Sequence, residues 1–154
     1  MKRVLRHSLG AALFLLCAAA TAAGPRPFVS GSAAQIRAAH AGAPTVLALW
    51  SLDCPHCGEE LALLGEVKRR YPSVHIVLVS TDAPEAGALI RARLSQHGLV
   101  EAEHWVFADD FNERLRFEID PRWHGELPRS YLSARDGRAE AVSGSIGRGP
   151  KPHR

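Results

Sequence analysis

The stretch Trp50-Ser-Leu-Asp-Cys54-Pro-His-Cys57-Gly-Glu-Glu60 decides how the rest of this 154-residue chain is read. It joins a compact apolar run, Thr45–Trp50 (TVLALW), to a segment that reads as a helix from about Pro55 to Arg70. Tyr71-Pro72 ends that helix, because proline disfavours a helical residue before it. The two cysteines therefore stand at a strand-to-helix junction. Unpaired N–H groups and the helix dipole favour an anion there by about 0.3–1 kcal/mol. This stabilises a Cys54 thiolate, the nucleophilic form of the side chain. His56 at the same end is placed to add positive charge or a hydrogen bond, and Pro55 fixes the backbone φ between the sulfurs. A stabilised thiolate favours the dithiol and makes the disulfide more oxidising, by about 30 mV for about 1.4 kcal/mol.

Two other uses of the pair bear on the same residues. Two thiolates two residues apart are half of a zinc site, but no second Cys pair exists, and the seven His beyond residue 23 are scattered without a pair at ligand spacing. A soft ion such as Cu(I), held by Cys54, Cys57 and His56 or another His, is the metal-handling alternative. A structural staple is the other. A loop of about four residues constrains the unfolded chain little, so a disulfide here is better suited to opening and closing than to stabilising.

Working outward, the N-terminus carries an address. Met1–Ser8 is basic, Leu9–Ala20 is apolar and mostly small, and Thr21-Ala22-Ala23 supplies small residues at a cleavage site. This is the three-part secretory pattern, with cleavage expected after Ala23. The apolar stretch of about 15 residues falls short of the roughly 20 that span a bilayer. Cys17 follows the bulky Leu16 and reads as an apolar residue within the signal core. The formal net charge of +3 belongs to this segment, which holds Lys2, Arg3 and Arg6 and no acid. Residues 24–154 carry 16 basic and 16 acidic side chains. That balance excludes a nucleic-acid stripe and leaves a domain of about 131 residues with two cysteines, in a compartment where disulfides persist.

Within that domain, residues 24–31 are rich in Pro and Gly and read as a linker. Three helix starts show capping-box spacing: Ser32-Ala-Ala-Gln35, Asp82-Ala-Pro-Glu85 and Asp110-Phe-Asn-Glu113. Ala86, Leu89, Ile90, Leu94 and His97 share one face of the second of these helices, and Phe111, Leu115 and Ile119 share one face of the third. Thr45–Trp50, His75–Ser80 and Trp105–Ala108 are near-continuous apolar runs that suit strands buried on both faces. Ser130–Ser133 and Ala139–Val142 flank an Asp136-Gly137 turn and read as a hairpin. Residues 147–154 read as a disordered basic tail. The order predicts an α/β sandwich over 32–146 with an antiparallel edge.

On these residues the chain resembles the thioredoxin superfamily, and within it the TlpA-like bacterial thiol-disulfide oxidoreductases. The resemblance runs from about Phe28 to Ile146. It rests on the Trp50–Glu60 stretch, where the family has Trp-Ala-x-Trp-Cys-x-x-Cys-x-x-Glu, and on Leu127-Pro128-Arg-Ser-Tyr131-Leu132, where the family has its cis-proline and following strand. The Cys-Pro-His-Cys quartet is similar to that of DsbA-type oxidases. The resemblance implies an α/β/α sandwich with a mixed central sheet. It implies that Cys54 attacks substrate, that Cys57 resolves the mixed disulfide, and that a redox-active Cys54–Cys57 disulfide serves in place of any separate cofactor. It places cis-Pro128 beside the sulfurs and the backbone of Leu127 against an extended substrate segment, a form of β-augmentation. The implied partners are protein thiols or disulfides and a membrane or periplasmic redox partner.

Several positions depart from the family. Asp53 replaces its Trp, and a carboxylate there opposes thiolate formation. Ala48 stands where many thioredoxins carry a buried acid, and Ala62 stands where the helix often has a proline. Trp123-His124-Gly125-Glu126 makes a long approach to Pro128, with Trp123 a candidate to face substrate or, as the alternative, a loop aromatic covering the core. The usual C-terminal helix is missing after Val142, which leaves part of one sheet face to be covered by something else or left open.

Overall fold

The computed structural model of the chain describes residues 24–148. Six strands, β1 (Arg26–Phe28), β2 (Thr45–Trp50), β3 (His75–Ser80), β4 (Glu103–Phe107), β5 (Arg129–Ser133) and β6 (Ala139–Ser143), form one mixed sheet in the order β1-β4-β3-β2-β5-β6. Strands β1 to β4 run parallel, β5 is antiparallel to β2, and β6 is antiparallel to β5. The helices are α1 (Ser32–Ala39), α2 (Cys57–Arg70), α3 (Gly87–Gln96) and α4 (Asn112–Ile119), with short 3-10 turns at Pro84–Ala86 and Ile146–Arg148.

The apolar runs are continuous because each strand feeds two cores. Successive side chains of a strand point to opposite faces. Val46, Ala48 and Trp50 of β2 join Leu61 and Leu64 of α2 and Ile90 and Leu94 of α3. Leu47 and Leu49 join Ile36 of α1 and Leu115 and Ile119 of α4 on the other side. Every residue of β2 is buried, as is every residue of β3 after His75. Burying one such aliphatic side chain contributes about 1.5–3 kcal/mol. The layers therefore follow from the sequence pattern, and the C-terminal ends of β2, β3 and β4 come together at one end of the sheet.

The segment read as a linker, 24–31, contains β1. It pairs with β4 and buries Phe28, whose ring stacks on Phe107 at 5.3 Å between centroids. Pro27 is accommodated because β1 is an edge strand with one neighbour. The hairpin forms as expected, with Gly137 at φ +81° in its turn.

None of the three expected capping boxes forms. At α1, Gly31 is the N-cap, the Ser32 hydroxyl accepts the Val29 N–H at 3.0 Å, and Glu118 of α4 takes Ser30 Oγ and the Gly31 N–H. Asp82 turns away from α3, and Asp109, not Asp110, accepts the Phe111 N–H before α4. Leu89 and Phe111, expected on buried faces, are 65% and 64% exposed. Phe111 precedes α4 as its N-cap, and the buried stripe of α3 is the narrower pair Ile90 and Leu94.

Among the described residues nothing helical follows β6 except the turn at Ile146–Arg148, so Gly147 and Arg148 belong to that turn and not to a tail. The expected signal segment 1–23 and the rest of the expected tail, 149–154, lie outside the described residues. At the start of β2, where α2 ends, a groove of about 600 Å³ is left open beside Val46, Val74 and Leu132. No helix of the described residues is long and apolar enough to cross a membrane.

Candidate active site

Strand β2 delivers the chain to the C-terminal end of the sheet at Trp50, and seven residues later α2 begins. Its first residue is Cys57, two positions later than expected from Pro55. Cys54 lies just ahead of the helix in a turn closed by the Cys57 N–H on the Cys54 carbonyl, at 3.3 Å. The two cysteines form a disulfide with a Cα–Cα distance of 5.4 Å. The two sulfur-bearing residues are unlike in access. Cys57 is 0% exposed, whereas Cys54 is only partly buried, and Pro55 and His56 beside it are exposed. His56 is the residue before the helix and makes no side-chain cap, so its imidazole is left at the surface of the site. Asp53 is exposed as well. Among the described residues no group of three or more His, Cys, Asp or Glu side chains is disposed to hold a metal ion.

The loop before β5 carries the other expected site residues. The Leu127–Pro128 bond is cis, Pro128 is buried, and its carbonyl accepts the Gly144 N–H at 2.8 Å. Leu127 is half-buried and touches both cores. Trp123 is not a substrate-facing residue. It is 4% exposed, packs in the α1/α4 core, and its indole N–H donates to the Glu126 carbonyl at 2.8 Å. Its role is to close the loop from inside.

A polar cluster holds the same loop from the other side. The Arg129 guanidinium, 11% exposed, donates to Asp120 Oδ2 at 3.1 Å, Glu126 Oε1 at 3.3 Å, the Tyr131 hydroxyl at 3.3 Å and Ser143 Oγ. Burial works against the Arg129 charge, but Tyr131, Asp120 and Glu126 outweigh it and raise its pKa. The backbone N–H of Arg122, with Arg122 and Arg129 side chains, holds the Asp120 carboxyl below its ordinary value against the opposing effect of burial. Burial pushes the Tyr131 phenol up.

Two carboxylates on or bonded to the segments flanking the cysteine pair were not singled out from the sequence as site residues. Glu60, one helical turn beyond Cys57, is 0% exposed. It accepts Ser130 Oγ at 2.8 Å and the Ile146 N–H at 3.0 Å, tying α2 to β5 and to the final turn. Ser130 pairs across the sheet with Ala48. A buried acid is thus present over the part of the sheet where Ala48 lacks one, supplied by the helix instead of the strand. The spacing of three from Cys57 was the available signal. Asp82, expected to cap a helix, instead accepts the Leu52 N–H at 3.0 Å.

No family model matches the sequence, and no curated protein matches it. The fold does have counterparts among solved structures. One is a secreted Mycobacterium tuberculosis disulfide oxidoreductase homologous to E. coli DsbE, with 24% identity over 69% of this chain and 72% of that one and a TM-score of 0.56. Another is the thioredoxin domain of a thiol-disulfide oxidoreductase from Bacteroides vulgatus, with 16% identity, coverage of 68% and 71%, and a TM-score of 0.55. A DsbF homologue from Corynebacterium diphtheriae is similar at 15% identity, coverage of 68% and 64%, and a TM-score of 0.52. The chain has a thioredoxin-like fold.

Proposed function

We propose that this thioredoxin-like chain is a thiol-disulfide oxidoreductase that exchanges disulfides with protein thiols outside the cytoplasm, through Cys54 and Cys57. The observation that carries the reading is the unequal access of the two sulfur-bearing residues, with Cys54 partly open to solvent and Cys57 sealed. A substrate thiolate attacks Cys54 Sγ, the bond to Cys57 breaks, and its electron pair leaves on Cys57 as a thiolate. A second substrate thiol, as thiolate, attacks the substrate sulfur of the mixed disulfide and expels the Cys54 thiolate. Two electrons pass from the substrate dithiol to the pair, and the same steps in reverse reduce a substrate disulfide. The helix start beyond Cys54 favours its thiolate as attacking and leaving group.

Pro128 and the Leu127 backbone form the groove beside Cys54 in this reading, with an extended substrate segment against Leu127, and Pro55 and His56 tune the pair. The address pattern of residues 1–23 supports export to the periplasm or beyond, where a membrane or periplasmic partner resets the pair. The test is a Cys57→Ala variant incubated with a reducible protein disulfide. It should trap a mixed disulfide through Cys54 that dithiothreitol releases. Failure to form any adduct, with Cys54 demonstrably reduced, would refute the assignment.

A further inference from the structure

We propose that Asp82 is a positioning residue of the redox loop, holding the turn that carries Cys54 through its grip on the Leu52 N–H. The inference rests on the Cys54–Cys57 pair being redox-active, and it adds a residue that no part of the cysteine motif contains. Between the end of β2 and the start of α2 the backbone crosses the end of the sheet with little to hold it. The turn bonds there, Cys54 N–H to the Ser51 carbonyl and Cys57 N–H to the Cys54 carbonyl, are long at 3.4 and 3.3 Å. Into this stretch Asp82 brings both carboxylate oxygens, at 3.0 and 3.3 Å from the Leu52 nitrogen. A carboxylate accepting an N–H is roughly twice as strong an interaction as a neutral pair.

The carboxylate is itself fixed. The hydroxyl of Ser80, which is 0% exposed, donates to Asp82 Oδ2 at 2.5 Å and accepts the Asp82 N–H at 3.0 Å. The Thr81 N–H donates to the Trp50 carbonyl at 3.0 Å, so β3 stays tied to β2 up to the residue before Asp82. The Leu52 side chain packs against the α2/α3 core, which anchors the other end of the contact. Asp82 is not used as a cap, since the 3-10 turn after it has Ala83 as N-cap with no side-chain bond. Its carboxylate is therefore committed to the loop that sets where Cys54 stands relative to the start of α2.

The test compares wild type, Asp82→Ala, Asp82→Asn and Ser80→Ala as reduced proteins reacting with glutathione disulfide, far below their melting temperatures and across pH 5–9. Asp82→Ala should react about tenfold more slowly, as expected for a displaced reacting group, with a changed pH profile of Cys54. Asp82→Asn should recover most of the rate, because its amide oxygen still accepts the Leu52 N–H, and Ser80→Ala should be slowed less than Asp82→Ala. Asp82→Ala at the wild-type rate and pH profile, or Asp82→Asn as slow as Asp82→Ala, would overturn the assignment. If Asp82→Ala does not fold, Ser80→Ala decides: slowed exchange supports the grip and unchanged exchange refutes it. A wild-type protein inert toward glutathione disulfide would remove the redox reading and this inference together, whereas an active wild type with an equally active Asp82→Ala removes the inference alone.

Discussion

Removing the Glu60 carboxylate should destabilise the fold by an amount the structure allows to be worked out. Glu60→Ala leaves two donors that are bonded now without a partner, the buried Ser130 hydroxyl and the Ile146 N–H. An unsatisfied buried donor costs about 1–3 kcal/mol. Ser130 is 0% exposed and suffers the full penalty, while the part-buried Ile146 N–H recovers some hydration. The desolvation of the carboxylate itself is relieved in the variant and offsets part of the loss. The net is about 2–4 kcal/mol, which for a domain of this size lowers the melting temperature by roughly 10 °C. Glu60→Gln keeps an acceptor oxygen for Ile146 and gives Ser130 a donor to turn toward, so it should lose only about 1 kcal/mol. Urea unfolding of the oxidised proteins at pH 7 reads both values, with m unchanged if the denatured state is the same. An Ala variant within about 0.5 kcal/mol of wild type, or a Gln variant as weakened as Ala, would show that these bonds do not hold α2 to β5 and the final turn.

Further expectations concern other parts of the same architecture. The carboxyl of Asp120 is held below its ordinary value of 3.8, first by the Arg122 N–H. Its contribution is present above the unfolded value and lost as pH falls through the lowered folded one. Wild type should therefore lose more stability than Asp120→Asn as pH falls below about 4, and parallel acid curves would refute this. Gly65 has no room for a side chain, because a Cβ there would run into the His97 carbonyl oxygen. Gly65→Ala should cost about 1–3 kcal/mol despite the better helix propensity of Ala, measured by thermal melting. Trp123→Phe removes the indole bond to Glu126 and should cost about 1 kcal/mol without changing which peptide disulfides are processed, since the ring is inside. Iodoacetamide should alkylate Cys54 of the reduced protein readily below pH 7, whereas an ordinary thiol titrating near about 8.5 would deny the effect of the helix start.

The layered centre of the fold was legible because burial on both faces demands an unbroken apolar run. Thr45–Trp50 and His75–Ser80 are strands with the predicted bounds. Strand β4 begins earlier than its apolar run, at Glu103-His104, because the Glu103 carboxylate finds partners in Arg26, His40 and the Trp105 indole. Strand β1 escaped notice as three residues around a proline. The cysteine pair was legible because its two members are neighbours in sequence and mark a strand-to-helix junction. Glu60 meets Ser130 and Ile146 across 70 and 86 residues, and Asp82 meets Leu52 across 30, so no local pattern announces these bonds. Two of the capping boxes failed for the same reason, while the third lost to the neighbouring Asp109. Glu118 and the Leu52 N–H arrive from elsewhere in the chain and compete with the local bonds, and the direction in which Trp123 faces is decided by a core that its neighbours in sequence do not specify.

The most direct test of the central claim is the equilibrium of the Cys54–Cys57 disulfide with glutathione, read by trapping and counting free thiols as the ratio of reduced to oxidised glutathione is varied. The account predicts one two-electron transition, with both thiols appearing together, at a potential above about −300 mV. A pair that stays oxidised until well below about −300 mV would behave as structural disulfides do, and would contradict the assignment of these two sulfurs as the working centre of the protein.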